Sequence, residues 1–305
     1  MAEKLFEPIP IAYQGSLADQ HLVDAQQFGR SLIGVSKLAN SICHELFFET
    51  ITHDPRSYQI RFCVLPSREN GLLQEIVAVV NSGQLAVFTP ALLKLGKVLV
   101  ETIIKAIVNQ VLHKPSEVSK ALDTIQQMAQ RNADFQRQVL RGQMRDKKWL
   151  QGMVENLARE NRAPLREVPD PVGRTVRLMK IGDTKAIGPL EIDEPIAEVL
   201  RSRGQMEVGE TQEYDVKLVG VFKTNGACRV KLPGGAGQIV SGKITDPKLT
   251  ELGNVYTTAL NEDAVLHVSA KSTSKDGKLH KLYISDATIR REGGRPHRVL
   301  GPRRS

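Results

Sequence analysis

Apolar positions change their spacing several times along this chain, and each change marks a different kind of element. Residues Pro8 to Gln14 form a short apolar run that stops at Gly15 and suits a strand. Ala25, Phe28, Leu32, Val35, Ala39, Ile42 and Leu46 then recur at intervals of three and four, so the spacing predicts a long helix over about 17–48. Ser16 followed by Asp19 has the form of a capping box at its start, and Pro55 stops it because proline cannot continue the ladder. Tyr58, Ile60, Phe62 and Val64 alternate with Gln59, Arg61 and Cys63, the period of a half-buried strand. Asn70-Gly71 then turns the chain into a return strand over about 72–81.

From Leu92 to Leu112 the chain is apolar almost all round, broken only by Lys94, Lys97, Glu101, Lys105 and Asn109. Those five lie three or four residues apart and make one narrow polar stripe on a helix. A central core helix is the leading use for such a surface, ahead of an oligomer interface and of membrane insertion, since a span needs roughly 18 uninterrupted apolar residues. After Pro115, Val118, Ile125, Asn132 and Val139 fall seven apart, as do Ala121, Met128, Phe135 and Gly142. That is a helix-packing seam with a polar Asn132 in its middle, and a helical hairpin within the monomer is favoured over pairing between chains. Leu150, Met153, Val154 and Leu157 extend the helical pattern to about Glu160.

Pro164, Pro169 and Pro171 place the best domain boundary at Asn161 to Gly173. Val176, Leu178 and Ile181 suggest a strand, and Asp193-Glu194-Pro195 supplies the cap and first turn of a helix through about Arg203. From Gly209 onward the period is two. About six short strands are expected before Ile289, punctuated by Asn225-Gly226, Gly234-Gly235 and Asp276-Gly277. The expected class is α+β: a strand-helix-hairpin with long helices, followed by a small β-barrel or sandwich. The expected parts are an α/β and helical domain at 1–160, a connecting segment at 161–206, the β-region at 207–289, and a basic disordered tail at 290–305.

Charge sharpens this division. The net charge is +8, but residues 290–305 hold six arginines (Arg290, Arg291, Arg295, Arg298, Arg303, Arg304) against one acid, so the body is nearly balanced. Cys43, Cys63 and Cys228 are far apart and form no pair or framework; each reads as a small buried hydrophobe in a reducing interior. The first residues carry no secretory pattern, so a cytoplasmic location is expected.

Catalytic and metal motifs are missing. His44-Glu45 is not followed by a second histidine at metalloprotease spacing, and no GxSxG occurs. His267 and His280 fall across the last hairpin, where two imidazoles and a carboxylate could hold a metal, although ordinary strand-face histidines explain them better. The run Gly234-Gly235-Ala236-Gly237 lies between β patterns, so it suits a hairpin loop rather than a phosphate loop. No cofactor is implied. Arg229, Lys231, Lys243, Lys271, Lys278 and Lys281, with the tail arginines, are candidate phosphate contacts. Tyr214, Phe222, Tyr256 and Tyr283 are the aromatics available for base stacking.

Three stretches carry a resemblance: Ile11-Ala12-Tyr13-Gln14-Gly15-Ser16-Leu17-Ala18-Asp19 with Phe28-Gly29-Arg30-Ser31-Leu32-Ile33-Gly34; Glu69-Asn70-Gly71-Leu72-Leu73-Gln74-Glu75-Ile76-Val77; and Gly242-Lys243-Ile244-Thr245-Asp246 with Asp263-Ala264-Val265-Leu266-His267-Val268. In these the chain resembles a family of bacterial proteins scattered among mobile elements and antiviral defence loci. The resemblance implies an architecture and a genomic setting, and brings no activity or catalytic residue. The leading expectation is a non-enzymatic interaction or assembly protein, a homo-oligomer or bound to a protein partner, self-associating through Leu99, Ile103, Ile107, Ile125, Met128 and Phe135. The alternatives are nucleic-acid binding through barrel lysines and tail, and membrane activity of helix 92–112.

Overall fold

The computed structural model describes residues 2–48, 50, 55–65, 73–81, 88, 90–132, 147–185, 187–202, 206–232, 239–275 and 278–289. Two units follow one another: Met1–Arg203 and Gly204–Ser305. The α+β class expected from the sequence is present, and the second unit is a closed barrel rather than a sandwich.

In the first unit, β1 (Ala2–Lys4), β2 (Ile9–Gln14), β3 (Arg61–Val64), β4 (Leu73–Asn81), β5 (Leu178–Ile181) and β6 (Leu190–Ile192) build one antiparallel sheet. β4 has β3 on one edge and β1 and β2 on the other; β5 and β6 continue outward from β2. The registers Ile9↔Ile76 and Ile11↔Ile181 make β2 a central strand, and Ile9 and Ile11 are fully buried. Residues 161–202 therefore complete the sheet of the first unit instead of connecting two domains. The proline-rich segment is held there by Arg201, whose guanidinium donates to the carbonyls of Pro169, Asp170 and Val172. Proline spacing marks irregular backbone, but only packing says whether that backbone is a linker.

Six helices are described in this unit: α1 (Ala25–Phe48), α2 (Pro90–Val111), α3 (Pro115–Arg131), α4 (Lys147–Glu160), α5 (Arg162–Glu167) and α6 (Glu194–Arg201). The long helix expected from 17 begins at Ala25, with Asp24 Oδ1 accepting from the Gln27 N–H at 2.8 Å. Asp19 instead reaches back to the Gly15 N–H at 2.8 Å and closes a separate 3₁₀ turn over Ser16–Gln20. The Ser16 cap is absent: the turn's N-cap is Gly15, which has no side-chain cap, and of the expected pattern only the Asp19 contact forms, in this turn rather than at the start of α1. Gly34 lets α1 lie directly on α5: a Cβ there would stand 2.7 Å from the Val168 nitrogen and 2.8 Å from the Pro164 oxygen. The expected cap of α6 is present, Asp193 accepting from the Ile196 N–H at 3.2 Å.

Helix α2 is the core helix of this unit. Leu99, Ile103 and Ile107 are fully buried, as is Ile125 of α3, and Met128 is half-buried. The four fully buried residues are packed inside the unit; Phe135, Val139 and Gly142 lie outside the described residues. Asn132 is not a mid-seam residue either, since α3 stops at Arg131 and Asn132 is extended, with φ −142°. No helix among the described residues is long and apolar enough to cross a membrane. The polar stripe of α2 meets the β5–β6 loop. Lys97 pairs with Asp183 at 2.6 Å, Glu101 accepts from the Thr184 N–H at 3.2 Å, and Lys105 donates to the Ile187 carbonyl at 2.5 Å. Burial of the Glu101 carboxyl pushes its pKa up, against the smaller opposing pull of the Thr184 contacts and Lys97.

In the second unit, β7 (Met206–Val221), β8 (Ala227–Lys231), β9 (Ile239–Ile244), β10 (Val265–Lys275) and β11 (Lys278–Ile289) close a barrel in the order β7-β8-β9-β11-β10, with β10 returning to β7. Five strands are described where about six short ones were expected, because β7, β10 and β11 run 16, 11 and 12 residues. Long strands that bend around a barrel look like two short ones in a hydropathy pattern. All pairs are antiparallel except β9 with β11, joined in the register Lys281↔Ser241 to Ile284↔Ile244. Helix α7 (Val255–Asn261) lies between β9 and β10 in sequence and adds the fully buried Tyr256 to a core that includes Val216, Val230, Leu266, Val268 and Leu282.

Gly34→Ala should lower stability by about 1–3 kcal/mol through overpacking against α5, whereas Gly29→Ala, where a new Cβ meets nothing within 4 Å, should raise it slightly. Urea unfolding of both variants checks the contrast. A carboxyl whose pKa is raised on folding binds more protons folded than unfolded, so its contribution to stability falls as pH climbs from the ordinary glutamate range through the folded pKa. Glu101→Gln should therefore gain stability relative to the parent as pH rises through that interval, measured by unfolding midpoints at matched pH.

Candidate nucleic-acid interface

On each barrel strand, inward residues fill the core and the intervening ones point out. In β8, Cys228 and Val230 are buried, which turns Ala227, Arg229 and Lys231 outward. In β9, Val240, Gly242 and Ile244 are buried, leaving Ile239, Ser241 and Lys243 outside. Registers across the strands then order the outer surface into rows. One row runs Phe222, Ala227, Lys243, Tyr283, Lys271; its first link is the Phe222 N–H donating to the Ala227 carbonyl at 2.8 Å. The next runs Gly220, Arg229, Ser241, Lys281. Lys231 faces Ile239 in the row beyond.

Five of the six expected barrel cations, Arg229, Lys231, Lys243, Lys271 and Lys281, thus lie on the outer side of four consecutive strands. Neighbouring strands are about 4.8 Å apart, and within each row the cations stand two strands apart, with Tyr283 between Lys243 and Lys271 and Ser241 between Arg229 and Lys281. Lys278 is not among them: it opposes Lys275 at the far end of the β10–β11 hairpin. Arg290, Arg291, Arg295, Arg298, Arg303, Arg304 and the glycine-rich run 233–237 lie outside the described residues. A second barrel wall is mixed in charge. There His267 sits 2.9 Å from Asp215 and 3.4 Å from Glu213, Lys217 pairs with Asp263, and Lys248 pairs with Asp286.

The aromatic candidates separate sharply. Tyr256 is fully buried and donates to Asp246 Oδ2 at 2.8 Å. Tyr283 is buried under the Lys281 ammonium, 4.6 Å above its ring centre, which also donates to its hydroxyl at 3.0 Å. Tyr214 packs against the core. Phe222 alone of the four is open, at 68% exposure. Its exposure follows from the bulge between Leu218 and Gly220, which shifts the alternation of β7 and so turns Phe222 outward.

Other candidate chemistry disperses. His267 opposes Thr288 in the final hairpin, well along the strand from His280, so the two are not neighbours. Among the described residues no three His, Cys, Asp or Glu side chains gather as metal ligands would. Cys43 and Cys228 are buried, and burial pushes the Cys228 thiol up to about 12, so neither is poised to react. Cys63 is exposed, contrary to expectation, because β3 is an edge strand with little covering it. In the first unit a groove of about 390 Å³ runs between α1 and β3, lined by Ile33, Asn40, Tyr58 and Val64 among others.

Five strands closed in the order 1-2-3-5-4, with strands 3 and 5 parallel and a helix between strands 3 and 4, define an oligonucleotide/oligosaccharide-binding (OB) barrel. The chain belongs to the family of the domain of unknown function DUF7946, which matches residues 9–201, and residues 210–288 match a second family of unknown function, DUF7947. Neither match links the chain to mobile elements or defence loci. No curated protein matches it. A solved structure of a mutant ferredoxin protease FusC in complex with Arabidopsis ferredoxin aligns with 78% of this chain and 29% of its own, at 11% identity and a TM-score of 0.19. The chain thus spans under a third of that protein, and no common fold follows.

Tyr256→Phe should cost the barrel about 1–3 kcal/mol, because Asp246, itself buried, loses a hydrogen-bond donor it cannot replace with water. Thermal unfolding of the full chain, followed by circular dichroism in the far ultraviolet, measures it.

Proposed function

We propose that this is a non-enzymatic nucleic-acid-binding protein whose OB barrel carries the binding face. The observation behind this reading is the gathering of Arg229, Lys231, Lys243, Lys271 and Lys281 on the outer face of strands β8, β9, β11 and β10. Strands 2 and 3 of an OB barrel, here β8 and β9, form the wall on which that fold holds extended polymers. A fold alone says little of function; the charge placed on that wall is what favours a polyanion. Cations spaced across several strands bind a phosphate backbone by displacing its counterions, without reading sequence. The Arg-rich segment 290–305 would add to the same electrostatic attraction. Assembly through α2 and α3 is the weaker reading, since Leu99, Ile103, Ile107 and Ile125, four of the six residues expected to pair, are fully buried inside the first unit. Release of helix 92–112 onto a membrane would require unfolding that same core. A setting among mobile elements and antiviral defence loci would suit a nucleic-acid binder but adds no residue to the site.

The test is fluorescence anisotropy with labelled oligonucleotides across a salt series. The parent should show affinity falling steeply with salt. Arg229→Glu combined with Lys243→Glu should weaken binding by roughly a hundredfold and reduce the salt slope by about two phosphate contacts. An unchanged affinity in that variant, with its fold intact, would overturn the reading.

A further inference from the structure

We propose that the barrel takes nucleic acid as a single strand, with one unpaired base laid against the Phe222 ring at the β7–β8 end of the basic face. This rests on the nucleic-acid reading above and specifies which form of the polymer fits. Of the aromatics on this unit, only Phe222 can offer a ring face to a ligand: Tyr256 is in the core, Tyr283 is covered by Lys281, and Tyr214 packs inward.

The backbone that carries the ring is held in place. The Phe222 N–H donates to the Ala227 carbonyl at 2.8 Å, and its own carbonyl accepts from the Gly226 N–H at 2.9 Å. Gly226 has φ +71°, and a side chain there would collide with the Ile244 carbonyl, so the turn is locked against β9. A fixed backbone sets where the ring stands on the face and leaves only its side-chain rotation to be ordered by a base.

Beside that platform the outer face is low. Gly220, Ala227 and Ser241 present little or no side chain, while Arg229, Lys243 and Lys281 stand around them. A base on Phe222 would project over this floor, and the following phosphates would meet the cations one or two strands away. In a duplex both faces of every base are already stacked, so the ring has nothing to bind and only the charges remain. Base-on-aromatic stacking is sequence-tolerant, because every base has a π-face. The chemistry therefore describes a single-strand binder with weak sequence preference. Val219 and Ile239 are exposed near the same face and would suit an apolar or acidic peptide instead; the charges around the floor favour the polynucleotide.

The experiment titrates the full chain with a labelled oligothymidine, a duplex of equal length, and polyglutamate as competitor, for the parent, Phe222→Ala, Phe222→Trp and the Arg229→Glu/Lys243→Glu variant. The single strand should bind the parent at least about tenfold more tightly than the duplex. Phe222→Ala should lose roughly 5- to 150-fold on the single strand, keep the duplex affinity and the salt slope, and Phe222→Trp should restore binding. Because Phe222 is largely exposed, its replacement should leave the unfolding midpoint in place. If Phe222→Ala binds the single strand as the parent does while the charge-reversal variant does not, the stacking proposal fails and the basic-face reading stands. If neither oligonucleotide binds, or polyglutamate displaces the strand at equal charge concentration, both fail together.

Discussion

Pairing of β9 with β11 is the contact on which the second unit depends. It is the parallel link in an otherwise antiparallel barrel, and it joins strands whose sequences are separated by helix α7 and all of β10. Beyond the ladder, the Thr245 N–H and hydroxyl both donate to the Ile284 carbonyl, at 2.8 and 3.0 Å, and the Ile244 N–H donates to the Gly226 carbonyl at 2.8 Å. One short stretch of β9 thus ties β11 to the turn that carries Phe222. Without closure, both strands would present open edges, which pair with other chains. Without it, too, Lys243 would not neighbour Tyr283 and Lys281, and the cations would be distributed over separate hairpins.

The first unit solves a different problem, which is how to bury polar groups in a large antiparallel sheet with helices on it. Its answers are local and paired: Tyr13 donates to Ser31, which donates in turn to the Val168 carbonyl at 2.6 Å, and Asn161 donates to Ser41 and to the Leu157 carbonyl. Arg201 gathers three carbonyls of an irregular segment, and the stripe on α2 secures the β5–β6 loop. The Ser31–Val168 and Asn161–Ser41 contacts join segments more than a hundred residues apart, and they give buried polar groups partners inside the unit. Most large apolar side chains of α2 are consumed in this core, while Leu22, Ile33 and Val64 stay exposed elsewhere on the unit.

Charge and packing are divided between the units accordingly. Apolar content of α2 went into a core, while the barrel's Arg229, Lys231, Lys243, Lys271 and Lys281 fell on the outer sides of their strands. Both outcomes follow from the same geometry: burial is decided by which elements stack, and a period of two or of 3.6 says only which residues share a side.

Periodicity alone was enough to place α1, the β3–β4 hairpin, α2, α6 with its Asp193 cap, and the change to β-structure near residue 209, because these depend on neighbours a few positions away. The cations of the barrel were also visible as a set of residues. Their assembly was not, since it needs the register of four strands and a parallel pair between segments about 40 residues apart, which no local spacing encodes. The proline-rich stretch 161–173 shows the same limit from the other side: its irregular backbone was legible, but its place inside the first unit came from β5 pairing with β2 across more than 160 residues. Phe222 was legible as an aromatic beside an Asn225-Gly226 turn; its exposure was decided by a bulge. Sequence determined which segments fold and which face of each is apolar, and tertiary structure decided which faces meet, because that choice is made by long-range hydrogen bonding and packing.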